Sequence, residues 1–176
     1  MSRSTRQCGF TLIEVLVATL VLAVGVMGVA AMQMVSFQTG QSAYARARAV
    51  YLAQDMFDRM RANPDGYSAT AVYDAVDTDA RSSIPSGPAC AGSPVGCTPR
   101  QMARQDVREW ARHFFNVSDV DDYRPTLPNG RGRITRAAGT NEFAVTVSWD
   151  ERDLDAGAGL TRTPRTRSVT LRTTLN

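Results

Sequence analysis

The sequence predicts an α+β chain: a long N-terminal helix, apolar first and amphipathic later, packed on a small antiparallel β-sheet, with a second short helix. Three observations carry that expectation. Phe10 to Met32 is a run of 23 residues in which Glu14 is the only ionisable group. Tyr44, Ala45, Ala49, Leu52, Ala53, Met56, Phe57 and Met60 recur at helical spacing. Phe143, Val145, Val147 and Trp149 alternate with Ala144, Thr146 and Ser148, and Val169, Leu171 and Thr173 repeat the alternation later. A sheet with one apolar face and a helix with one apolar stripe bury those surfaces against each other.

The apolar run is long enough to cross a bilayer as a helix, at ~1.5 Å per residue against ~30 Å of hydrocarbon. A carboxylate inside such a segment is costly in lipid and points to a cationic partner. Ahead of the run lies a leader, residues 1–9, with Arg3 and Arg6 and no acid. A secretory signal is cut after its apolar region. Here Gly9 precedes the apolar region, so a cut at Gly9 leaves the hydrophobic helix on the mature chain. An uncleaved single-span anchor is the plainer alternative.

The order basic leader, Gly9, Phe10, Thr11-Leu12-Ile13-Glu14, apolar helix resembles the class III signal of type IV pilins and pseudopilins. The resemblance implies that a prepilin peptidase cuts between Gly9 and Phe10. It implies N-methylation of the new amino group on Phe10, and pairing of Glu14 with the N-terminal amine of a neighbouring subunit during assembly. The physics fits: cleavage creates the amine that a carboxylate in low dielectric lacks, though both groups must be desolvated to meet. The competing reading is a Glu14 that snorkels to the interface.

Ser36 to Asn63 continues the helix beyond the membrane, with Arg46, Asp55, Asp58, Arg59 and Arg61 mostly off the apolar stripe. Asp55 and Arg59 are four apart and support it modestly. Asn63-Pro64-Asp65-Gly66 ends it. Gly25, Gly28 and Gly40 permit bending or close helix packing. The expected organisation is leader 1–9, membrane and assembly helix 10–35, amphipathic continuation 36–63 and globular domain 64–176. Residues 65–96 connect, and periodicity does not decide between helix and strand for 69–80. The second helix starts at Thr98-Pro99-Arg100-Gln101, which offers an N-cap, a proline at the first position and a glutamine three residues after the cap. Ala103, Val107, Trp110, Ala111 and Phe114 mark its buried face, and His113 falls off it, as a surface residue. Gly132 to Ala137, Glu142 to Trp149 and Arg167 to Leu175 read as strands, with a turn at Gly139-Thr140-Asn141 and a charged loop over 150–164.

All 20 basic residues are arginine, and the formal charge is +3. Loss of the leader leaves 18 basic and 17 acidic side chains, a net +1. Arginines and aspartates are dispersed, which argues against a phosphate-binding face. Of three cysteines, Cys8 leaves with the leader, while Cys90 and Cys97 bracket a turn-rich loop. In an oxidising compartment that pair favours a disulfide, and its small loop implies local bracing. A metal site is the alternative, but His113 is the only histidine and there is no second cysteine pair. No nucleophile–base pair emerges, so neither an enzyme nor a cofactor is expected. Calcium at Asn116, Asp119, Asp121 and Asp122, or at Asp150, Glu151, Asp153 and Asp155, lacks an EF-hand pattern.

Four further pieces narrow the resemblance: Arg59-Met60-Arg61-Ala62-Asn63; Cys97-Thr98-Pro99 with Asp106 and Glu109-Trp110; Leu127-Pro128-Asn129-Gly130; and Val145-Thr146-Val147-Ser148-Trp149-Asp150. Together they are similar to type IV pilus minor pilins of the PilV type. That implies the inner membrane and periplasm of a Gram-negative bacterium, then the pilus. The implied partners are prepilin peptidase, the major pilin, other minor pilins and a tip adhesin, in support of twitching and adhesion. A minor pseudopilin of a type II secretion system and a DNA-uptake pilus tip component are the alternatives.

Overall fold

The structure, a computed structural model, describes residues 9–86, 90, 96–116, 123–154 and 162–176, with the side chains of 81, 152–154, 162 and 163 left out. Residues 1–8 of the leader with Cys8, the loop residues 91–95, and Asp119, Asp121, Asp122 and Asp155 lie outside the described residues. Helix α1 runs Leu12–Ala62, α2 Pro64–Ser68 and α3 Pro99–Ala111. The strands are β1 Ala75–Asp77, β2 Arg131–Arg136, β3 Glu142–Leu154 and β4 Arg162–Thr174, and a 3-10 turn covers Arg81–Ser83. This is the type IV pilin-like α+β arrangement the sequence predicts.

The chain divides into two compact units, Met1–Ser42 and Ala43–Asn176. In the first, α1 continues without a break through Gly25, Gly28 and Gly40. Its large apolar side chains, from Leu12 to Phe37, are all exposed. It is long and apolar enough to cross a membrane. A Cβ at any of the three glycines would meet nothing within 4 Å, so contacts within the described chain do not explain them.

In the second unit the four strands form one antiparallel sheet in the order β1-β2-β3-β4. Ile134 pairs with Val145, and Val145 with Leu171, so the alternation reads across the strands in register. Phe143, Val145, Val147, Trp149 and Ile134 turn inward onto Ala45, Ala49, Leu52, Ala53, Met56, Phe57 and Met60 of α1, and all are buried. Val169 and Leu171 are only partly buried, because β4 lies at the edge.

Three expectations need correction. The loop expected over 150–164 is mostly ladder: β3 and β4 pair out to Leu154 and Arg162. The apolar alternation that marks a strand packed on a core fades there in the sequence, where charged and polar residues take its place, so the pattern does not reveal the strands. The Asn63-Pro64-Asp65-Gly66 break does end α1, but Pro64 then starts α2, since its fixed φ suits the first helical turn. His113 is half-buried rather than on the surface, with Nδ1 3.2 Å from Thr126 Oγ1.

α3 starts as expected. Thr98 accepts from the Gln101 N–H, and the Gln101 side chain accepts from the Thr98 N–H, which closes a capping box. Its face Ala103, Val107, Trp110, Ala111 and Phe114 is buried. Trp110 Nε1 donates to the Leu52 carbonyl of α1 at 2.8 Å. Its ring stands edge-on to Phe114 with centroids 4.8 Å apart. Gly132 lies against both rings: a Cβ there would sit 2.4 Å from Trp110 and 2.7 Å from Phe114. A glycine is therefore required for β2 to approach α3.

Candidate assembly segment

Gly9, Phe10 and Thr11 precede the helix, which begins at Leu12. Phe10 is 84% exposed. A Cβ on Gly9 would touch nothing, so folding does not demand glycine there. Glu14 lies in the first turn of α1, and its N–H donates to the Thr11 carbonyl at 3.1 Å. A carboxylate in the first turn is favoured by the helix dipole, worth a few tenths of a kcal/mol up to ~1. That is a local reason for Glu14 which sequence reading missed, although an acid three residues after the cap position, here Thr11, is its signal. No described residue provides Glu14 with a cationic neighbour in an ion pair.

The second unit carries its own polar cluster, beside the apolar core. Arg59 of α1 donates from Nε to Asp55 at 2.9 Å and from Nη1 to Glu109 of α3 at 2.7 Å, and lies 3.7 Å from Asp106. The Tyr73 hydroxyl donates to Asp106 at 2.5 Å. Gln105 donates to Glu109, and accepts from the Cys90 N–H at 3.2 Å. Burial raises the pKa of Asp106, against the opposing effects of Tyr73 and Arg59. Burial, with the Asp106 bond, also raises that of Tyr73. For Glu109 burial again pushes upward, but the bonds from Arg59 and Gln105 prevail and the value is lowered. Asp106 sits on the apolar stripe of α3, three residues after Ala103, and a buried acid on such a stripe is the sequence signal for this cluster. The cluster holds α1 to α3.

Cys90 and Cys97 are joined, with Cα atoms 5.9 Å apart, inside the usual disulfide range. The bridge sits beside the start of α3. Cys97 precedes the Thr98 cap, and Asn63 at the end of α1 donates from Nδ2 to the Pro99 carbonyl at 2.8 Å. Among the described residues no group of His, Cys, Asp or Glu gathers in a metal-binding arrangement.

The four sequence pieces singled out for their resemblance meet in space as two clasps. Arg59 reaches Asp106 and Glu109, and Asn63 reaches Pro99. Pro128 accepts from the Asp150 N–H, and Asn129 Nδ2 donates to the Asp150 carboxylate at 3.1 Å. Asn129 holds this turn with a φ of 46°, a left-handed conformation that asparagine tolerates.

Residues 31–108 match the family model described as Type IV pilin Tt1218, and residues 4–30 match the prokaryotic N-terminal methylation motif. Comparison with curated proteins and with solved structures found no match. The methylation motif implies processing by a prepilin peptidase and assembly with other pilins, and it agrees with an inner-membrane anchor. The fold and these two matches support a place in the type IV pilin superfamily, whose pilin and pseudopilin domains are structural subunits, not enzymes.

Proposed function

We propose that this chain is a minor subunit of a type IV pilus, of the PilV type, that helps prime pilus assembly. The carrying observation is the segment Gly9 to Glu14 at the head of a wholly exposed apolar helix, joined to a unit that buries its own core. Prepilin peptidase cuts before Phe10 and the new amine is methylated. Glu14 meets the amine of a neighbouring subunit as the helix leaves the membrane. Residues 10–35 form the membrane and assembly helix, 36–63 its amphipathic continuation, and 64–176 the domain in the periplasm of a Gram-negative cell. The other minor pilins, the major pilin and a tip adhesin are its partners. The narrower PilV reading is supported by the two clasps, which pair all four pieces of the resemblance.

The test is intact-mass and N-terminal analysis of the protein in sheared pili. A chain starting at N-methylated Phe10 is expected. A start elsewhere, or full-length protein confined to the membrane, overturns the reading. Loss of protein secretion with normal pili in a deletion strain would favour the type II pseudopilin instead.

A further inference from the structure

We propose that the C-terminal half of β4 receives a strand from another protein, an extended segment with apolar residues at alternate positions and an acid facing Arg172. This goes beyond the assembly role of α1, because it concerns the opposite end of the chain and a different chemistry.

The argument starts from the register. The Leu175 N–H donates to the Asn141 carbonyl at 3.0 Å. From Glu142↔Thr174 to Leu154↔Arg162 the pairing is unbroken. In an antiparallel ladder the bonding direction alternates along each strand. The odd-numbered residues of β4 therefore bond to β3. Pro164, Thr166, Ser168, Thr170, Arg172 and Thr174 turn their backbone groups the other way. Among the described residues no strand lies on that side.

The two halves of this edge differ. Towards the tip, Pro164 occupies an outward position, where it removes a donor, and Arg162, Arg165 and Arg167 crowd the strand. Proline and charge are the usual protection of an edge against pairing. From Ser168 to Thr174 the sequence Ser-Val-Thr-Leu-Arg-Thr-Thr has no proline, one charge and mostly β-branched residues, which favour strands. The protection stops where a groove begins. Gln54, Phe57, Asp58 and Arg61 of α1 line one side, and Leu171, Arg172 and Thr173 the other. Val169 and Leu171 are only partly buried at this edge. A strand laid beside β4 bonds to the four outward positions and lowers alternate side chains onto Leu171 and Phe57, the geometry of strand addition. Charge selects the occupant. Asp58 is already paired with Arg61 at 2.8 Å, so Arg172 is left as the cation facing an incoming strand. A second copy of β4 would bring arginine to arginine.

The probe is a capped peptide of about seven residues, alternating valine and threonine with a central glutamate, titrated into isotope-labelled mature chain in detergent micelles. Saturable amide shifts confined to Ser168–Thr174 are expected, with affinity about threefold above that of the matching lysine peptide. Thr170→Pro removes an outward N–H and no backbone bond to β3, giving up only the hydroxyl contact with Thr146, and should abolish the shifts. Arg172→Glu should reverse the preference, and decides the matter if the proline variant fails to fold. Absence of saturable shifts, equal affinity for both peptides in either background, or concentration-dependent shifts of the same amides without peptide overturns the proposal. The last result would assign the edge to a second copy.

Discussion

One helix serves two opposite purposes along its length. Up to Ser42, α1 exposes nearly every apolar side chain it has. Beyond Ala43, the stripe from Ala45 to Met60 is buried under the sheet and α3. Both halves carry apolar residues at helical spacing, the first on every face and the second on one stripe. What separates them is whether the chain supplies a second surface. Among the described residues the first half has none and stays exposed, as a membrane-spanning or assembly helix would. The second half meets Trp110, Phe143 and Val145. Substitutions in the first half should therefore leave folding of the domain untouched, and those in the second should govern it.

The sharpest break in that comparison lies at Gly132. Any side chain there collides with Trp110 and Phe114. Gly132→Val is expected to cost about 3 kcal/mol through overpacking, and Trp110→Ala about 4 kcal/mol through the cavity and the bond lost to Leu52. Leu20→Ala, a truncation of the same kind in the exposed half, should leave the unfolding midpoint unchanged. Denaturant titration of the mature chain in detergent, followed by domain fluorescence, compares them.

Next comes the polar clasp. Arg59→Met keeps the length of the side chain but strands Glu109 and Asp106 without their cation. A loss of about 2 kcal/mol is expected at neutral pH. Because the folded state lowers the Glu109 pKa, its contribution is present above the ordinary carboxylate range and is lost as pH falls through the folded value. The Arg59→Met variant should lose that part of the acid dependence, as read from unfolding midpoints across a pH series.

A smaller effect belongs to His113. Burial lowers its pKa, with Arg59 and Arg48 adding to the shift against Asp55. The unfolded chain then takes up the proton first, so stability is complete above about pH 6.5 and falls as pH drops from there towards the folded value. His113→Asn should flatten the unfolding midpoint over that window and leave it nearly unchanged at pH 8.

Much of this was legible in the sequence, for one reason: apolar alternation reports burial. Phe143 to Trp149, Ile134 and the α3 face are buried as their spacing implies, and Thr98 to Gln101 encodes its cap in four residues. What was not legible depends on partners distant in sequence. β1 is three residues long and exists because Ala75–Asp77 pairs with Arg133–Thr135, so no local pattern marks it. The outer part of the β3–β4 pairing carries no apolar alternation in its sequence, Asp150-Glu151-Arg152-Asp153 facing Thr163-Pro164-Arg165-Thr166, so only the register reveals it. Asp106 breaks the stripe of α3, and only its bond from Tyr73 and its ion pair with Arg59 explain why it is tolerated. The need for glycine at 132 is invisible until Trp110 is seen across from it. In the assembly segment the motif was plain from Gly9 to Glu14, but the partner proposed for Glu14 lies outside this chain.

The most direct measurement follows from the exposed half. Glu14→Gln keeps the size of the side chain and removes its charge, at a cost to the helix of only a few tenths of a kcal/mol. The domain should unfold at the same midpoint as the wild type, and cleavage before Phe10 should proceed normally. The quantity to determine is the amount of this subunit in sheared pili, normalised to membrane-bound protein, with pili counted per cell. Both should fall in the Glu14→Gln strain while the membrane pool persists. Wild-type incorporation and pilus number would contradict the charge-pair account and leave Glu14 as a first-turn residue that merely favours its own helix.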